Sequence, residues 1–256
     1  MLALRQADYW ATVYRRVWRG TVVTSFVLPV LYLAAIGIGL GRYVDAGSTA
    51  ALGGLSYLDY VGPGLLATTA MQTAVGESTY PVLAYFIWQK VYDAMIATPL
   101  RVRDVLVGHL SYVVLRLATT CTVLLAVLAL FGVVHSVAGG LGAVAVAVLV
   151  GLAFATPIFA FSARQENDSG FALLYRLGLI PMFLFSGAFF PISQLPAAIA
   201  WLARLTPVWH GVELCRALTT GRATVLAALG HIGYLLLWVV VGWWLAERAF
   251  RRRLER

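Results

Sequence analysis

The sequence is short of charge. Asp, Glu, Lys and Arg make up 12% of its 256 residues, where a soluble domain carries about 25%. Hydrophobic residues reach 61%, more than a soluble core can enclose, so lipid must solvate part of the surface. Lysine is almost missing: Lys90 is the only one, and it follows Gln89 rather than a glycine-rich loop. Without a G-x-x-x-x-G-K-[ST] segment, nucleotide hydrolysis by a phosphate loop is excluded for this chain. Cysteine is scarce as well. Cys121 and Cys215 build neither a disulfide framework nor a metal pattern, and Cys121 falls mid-span as a small apolar filler. The N-terminal residues have no uninterrupted apolar core ahead of a small-residue cleavage site, so a removable secretory signal is not expected.

What is present reads as an all-α integral membrane protein, a single transmembrane domain over 1–256. Residues 1–20 set Arg5, Arg15, Arg16 and Arg19 beside Tyr9, Trp10, Tyr14 and Trp18, the pattern of an amphipathic helix lying in the membrane interface. Residues 21–246 offer six apolar runs near the roughly 20 residues that a helical span requires. They cover about 21–40, 60–85, 105–131, 140–161, 171–186 and 224–246. In the first, Gly37 and Gly41 have the spacing of a close helix contact. Gly62-Pro63-Gly64 predicts a break at the start of the second, and lacks the residues of a phosphate-binding glycine loop. A basic tail, 247–256, follows the sixth.

Between the fifth and sixth runs the chain is too broken for a span and too apolar for a free loop. Pro191, Pro196 and Pro207 interrupt it, and two short helices dipping into the membrane face satisfy both constraints. His210, Glu213 and Arg216 belong to this outer region. His210 and Glu213 are spaced i,i+3 and can share a helical face, but the second histidine of a zinc helix is missing; an interfacial polar pair is the stronger reading.

The net charge of +8 does not point to nucleic acid, because the arginines fall at the ends of apolar blocks and not on one folded surface. With the N-terminus inside, thirteen of the 19 basic residues lie in cytoplasmic segments and four (Arg42, Arg204, Arg216, Arg222) in outer ones. That positive-inside bias places both termini in the cytoplasm. Three charged residues fall within spans: Glu77, Arg116 and Arg176. A charge near mid-bilayer costs on the order of 3 kcal/mol. Arg176 can snorkel to the surface, whereas Arg116 is deeper and would be neutralised by Glu77 if the two met.

The stretch Phe86–Leu110 is the longest polar-leaning interruption, and the same count puts it inside. Thr98-Pro99 ends its helical part, since the residue before proline avoids the α region. It is either a solvated connector or a short surface helix offered to a soluble partner. Tyr92, Met95 and Ile96, at i, i+3 and i+4, share one face of such a helix.

Three segments resemble the membrane permease subunits of the type-two ABC exporters: Tyr57–Leu65 opening the second span, Ala94–Leu100 followed by Arg101, Asp104 and Gly108, and Leu205–Arg216 after the fifth span. The likeness covers nearly the whole chain and is nearest to the branch of the nodulation lipo-oligosaccharide exporter and daunorubicin-resistance permeases. It implies a pair of permeases, identical or homologous, each served by a separate cytoplasmic ATPase that holds the ATP and Mg. No cofactor and no catalysis are then expected in this chain. It further implies that the loop helix, here about Trp88 to Thr98, couples to the ATPase, with Trp88, Val91, Tyr92, Asp93, Met95, Ile96, Thr98 and Pro99 as its residues. The N-terminal helix would lie alongside as a second contact, and the broken outer helices would cap the exit path. The resulting expectation is an exporter subunit in the inner membrane of a bacterium, moving a drug, a lipid or a lipid-linked oligosaccharide. A secondary transporter is the alternative; it lacks support from an inverted repeat with broken helices in matching halves.

Overall fold

The computed structural model describes residues 52–255 without a gap, and before them only 9, 10, 12–16, 18–20, 27, 30, 31, 33–35 and 39. Gly37 and Gly41, and most of the expected first span and of the loop that follows, fall outside the described residues. From residue 57 onward the order is α1 Tyr57–Ser78, α2 Tyr80–Ile87, α3 Val91–Ile96, α4 Val102–Leu130 and α5 Val137–Ser162. Then come α6 (Ser169–Leu184), α7 (Ala197–Arg204), α8 (Pro207–Thr219) and α9 (Val225–Leu254). No strand occurs among the described residues.

Among the described residues, three helices, α4, α5 and α9, are long and apolar enough to cross a bilayer. α1 has the length, but it interleaves Asp59, Gln72 and Glu77 with its apolar positions. α6 is shorter, and its middle, Leu174–Leu179, widens into a π-helical segment ahead of Pro181.

α5 is the hub, packed against α1, α4, α8 and α9. Small residues let it be approached so closely. A Cβ on Gly242 of α9 would collide with Thr156 and Pro157 of α5, and one on Gly211 of α8 would collide with Val150. Inside lipid, where apolar side chains gain little by leaving the solvent, this kind of backbone approach supplies much of the packing. The buried positions of α4, Leu106, Val113, Leu117, Leu124 and Leu128 among them, recur at helical spacing and form its inward stripe. Much of α9 looks outward instead: Val225, Leu226, Leu229, Leu237 and Val240 are all exposed, an apolar surface that suits lipid.

Local signals set the helix ends. Ser56 Oγ accepts from Asp59 N at 3.1 Å, and Ser136 Oγ from Gly139 N at 3.0 Å, as N-cap side chains do. Arg101 N donates to Asp104 Oδ2 at 3.0 Å, tying the first turn of α4. Pro207 stands in the first turn of α8, where its missing N–H is harmless.

One break differs from expectation. Gly62-Pro63-Gly64 does not interrupt the second span, because α1 runs through it. These glycines serve close packing instead: a Cβ on Gly62 would press on Leu128 and Val133, and one on Gly64 on the backbone of Ala188. The actual break is Thr79, at φ −96° and ψ −96°, two residues before Pro81, whose ring cannot sit inside a continuous helix. The basic stretch after the sixth span is helical. Its arginines continue α9 to Leu254, and Arg251 Nη2 pairs with Glu247 Oε1 one turn back, at 2.9 Å.

Candidate functional site

The short helix α3 sits where several spans end. It is shorter than the sequence suggests: Trp88 caps α2, Lys90 takes a left-handed conformation at φ 48°, and only Val91–Ile96 is helical. Tyr92 is fully buried. Its hydroxyl lies 2.6 Å from His109 Nδ1 of α4, and its ring contacts Phe86 of α2 and Phe250 of α9 at centroid distances of 4.6 and 5.3 Å. This corrects the expectation that Tyr92, Met95 and Ile96 form one partner-facing surface. Tyr92 is the anchor that ties α3 to α2, α4 and α9, with Met95 and Ile96 half-buried beside it. Burial pushes its phenol well above the usual range, so the hydroxyl stays protonated and able to donate. The face left exposed consists of Asp93, Ala94, Ala97, Thr98 and Pro99, with Trp88, Gln89 and Lys90 next to it.

His109 was not singled out from the sequence, although a histidine seven residues into an apolar span is itself a signal. Trp10 stacks on it with centroids 4.4 Å apart and planes 9° from parallel. Trp10 is therefore buried against the protein, at 1% exposure. Helical residues of the N-terminal segment thus reach the α3 anchor through one shared imidazole. Arg253 of α9 closes the same end, donating from Nη1 to the carbonyls of Ala163 and Gln165 at 2.8 and 2.7 Å and lying over the Phe86 ring.

Farther into the bundle, Glu77 and Arg116 meet. Arg116 Nη2 is 2.7 Å from Glu77 Oε1, and their side chains are 19% and 16% exposed. The pair lies just ahead of the Thr79 break. Arg176, by contrast, is exposed in the π segment of α6.

The opposite end carries the pair of short helices α7 and α8. α8 begins against Val150, deep along α5, and its last residue, Thr219, offers its carbonyl to His135 N in the α4–α5 turn. The turn before α8 is tied to α9 by Tyr234, whose hydroxyl donates to Leu205 O at 2.5 Å. Pro191 and Pro196 flank a short 3₁₀ turn ahead of α7. His210 and Glu213 do not act as a pair. His210 Nδ1 lies 2.8 Å from His231 Nδ1 of α9, and Glu213 Oε1 receives Arg216 Nη1 at 2.6 Å.

Arg216 is only 7% exposed. Its Nε donates to Tyr60 O at 3.1 Å and its Nη2 to Gly187 O at 2.7 Å, while its guanidinium stands 3.7 Å from the Tyr60 ring centroid. A buried cation needs this degree of satisfaction. It stitches the far end of α1 to the turn after α6.

Long apolar helices, a short helix anchored where several of them end, and a pair of short helices at the other end are the architecture of a helical membrane protein. The family model described as ABC-2 type transporter matches residues 8–219. The chain belongs to the ABC-2 type transporter family. It is similar to Nodulation protein J of Rhizobium leguminosarum bv. viciae, with 32% identity over 254 residues, 96% of this chain and 95% of that protein. Nodulation protein J of Rhizobium meliloti (strain 1021) is 31% identical over 252 residues, 96% and 94% of the two chains. That of Azorhizobium caulinodans is 24% identical over 246 residues, 91% and 92%.

Proposed function

We propose that this chain is the permease subunit of an ATP-driven exporter, energised by a separate cytoplasmic ATPase and working with a second permease, identical or homologous. The observation that carries the reading is the mounting of α3. A surface helix whose one buried side chain touches α2, α4 and α9 can pass a push on its exposed face to several spans at once. Packed interiors transmit such displacements because they deform little. ATP and Mg belong to the partner, and this chain supplies the path. The substrate is amphipathic, a drug, a lipid or a lipid-linked oligosaccharide, in keeping with the similarity to the Nodulation protein J group.

The exposed face of α3 is the part to test. Ala94→Arg together with Trp88→Ala should disturb a partner contact while leaving the Tyr92 anchor in place. The expected result is a permease that extracts and elutes like wild type but co-purifies with several-fold less ATPase, with transport reduced in step. Full retention of the ATPase by this variant would remove α3 from the coupling path.

Placement in the inner membrane with both termini cytoplasmic is the accompanying proposal, supported by the basic-residue count. Reporters fused after Arg256 and within residues 91–102 should read as cytoplasmic, and one within residues 45–56 as external. An external signal from the 91–102 fusion would reverse the orientation and sink the ATPase reading with it.

A further inference from the structure

The positive-inside bias leaves few arginines for the end away from α3. Sequence places four there, and one of them, Arg42, lies outside the described residues. The other three, Arg204, Arg216 and Arg222, all line one pocket of about 460 Å³ at that end. They arrive from three elements: the end of α7, the last turn of α8 and the turn before α9. Arg216 is fully engaged, with its charge met by Glu213. Arg204 and Arg222 have no carboxylate partner among the described residues, and Arg222 spends only Nη1, on Gly53 O at 2.9 Å. Ser193 lies in the same wall. So does Trp209, whose buried indole N–H has no acceptor among the described residues.

We propose that this pocket binds the anionic head group of an amphipathic molecule, a phosphate or carboxylate carried on a hydroxyl-bearing unit such as a sugar or glycerol. Two guanidinium groups facing one concavity match oxyanion oxygens, which they can grip in pairs. The Arg216–Glu213 pair forms part of the wall, and Arg222 is positioned through Gly53 O, which lowers the ordering cost of binding. The pocket has the size of one such unit. Two sources share this chemistry: a membrane phospholipid, or the head of a transported molecule.

The site can be tested without the ATPase, so its failure is separate from that of the exporter reading. Full-length permease in phosphatidylcholine nanodiscs is titrated calorimetrically with a glucose phosphate, with inorganic phosphate and with glucose. Saturable binding of the glucose phosphate, weaker binding of phosphate and none of glucose is the expected order. Arg204→Gln with Arg222→Gln should weaken binding about tenfold or more, and Arg204→Lys with Arg222→Lys should retain part of it; all variants keep the wild-type melting profile, because neither side chain is buried. If nanodiscs containing phosphatidylglycerol abolish sugar-phosphate binding, the lipid is the resident ligand and the site stands; if they leave it unchanged, the site takes the head of a transported molecule. No saturable binding, equal binding of glucose, or unchanged binding by the double glutamine variant overturns the proposal.

Discussion

Arg116→Ala is expected to deplete folded, extractable permease several-fold, while Arg176→Ala leaves the yield close to wild type. Removing Arg116 strands the Glu77 carboxylate in a largely buried position next to the Thr79 break. Breaking a buried ion pair from one side costs roughly 3–5 kcal/mol, since the remaining charge keeps its desolvation cost and loses its partner. Arg176 is exposed on α6, so its truncation loses little beyond packing of its stem. Glu77→Gln combined with Arg116→Gln removes both charges and keeps hydrogen-bonding groups of similar shape. That double variant should recover much of the yield lost in the single one, as coupled neighbours do. Size-exclusion profiles of detergent extracts and melting temperatures read the result. Equal tolerance of Arg116→Ala and Arg176→Ala would mean that the pair contributes nothing to the fold.

Tyr92→Ala is expected to abolish transport even though the altered side chain is out of reach of any partner protein. It empties a site enclosed by Phe86, Phe250 and His109, and truncating a buried aromatic costs about 3–5 kcal/mol. That loss falls on the attachment of α3 more than on the bundle, because α3 has a single fully buried side chain. Tyr92→Phe keeps the ring and drops the hydroxyl, leaving His109 Nδ1 without its partner at a cost of roughly 1–3 kcal/mol. An intermediate loss of transport should follow. Amide hydrogen exchange over residues 91–100 should rise strongly for Tyr92→Ala and slightly for Tyr92→Phe, with α5 unchanged. A Tyr92→Ala protein that transports normally, with wild-type protection in α3, would show that α3 need not be rigidly mounted.

The membrane class, the helical elements and the family were open to sequence reading because each rests on local signals. Apolar runs near span length, prolines between residues 191 and 207, and basic residues at block ends require no knowledge of what packs against what. Glu77 and Arg116 could be suspected as partners for the same reason: two charges in apolar runs have few other ways to be neutral. The position of α3 between two apolar runs was equally plain.

The faces were decided by tertiary structure. Helical spacing put Tyr92 with Met95 and Ile96, but a short helix at the surface has no periodic stripe long enough to say which side meets the bundle. Phe250, 158 positions along the chain, settles it by meeting the Tyr92 ring. Gly62-Pro63-Gly64 looked like a break because proline and glycine are breakers in isolation; the approach of Leu128, Val133 and Ala188 turns the same glycines into packing surfaces. His210 and Glu213 shared a face on paper and then found different partners, His231 on α9 and Arg216 one turn on. Arg216 is the plainest case. Its two carbonyl partners, on Tyr60 and Gly187, lie 156 and 29 residues away, and no local pattern carries such a pairing. Sequence by itself determined which segments had to be helices and which solvent they required, since propensity and hydrophobicity act within a few residues. Only the folded chain could decide which charges are buried and which pocket the far-end arginines share, because those depend on contacts among residues distant along the chain.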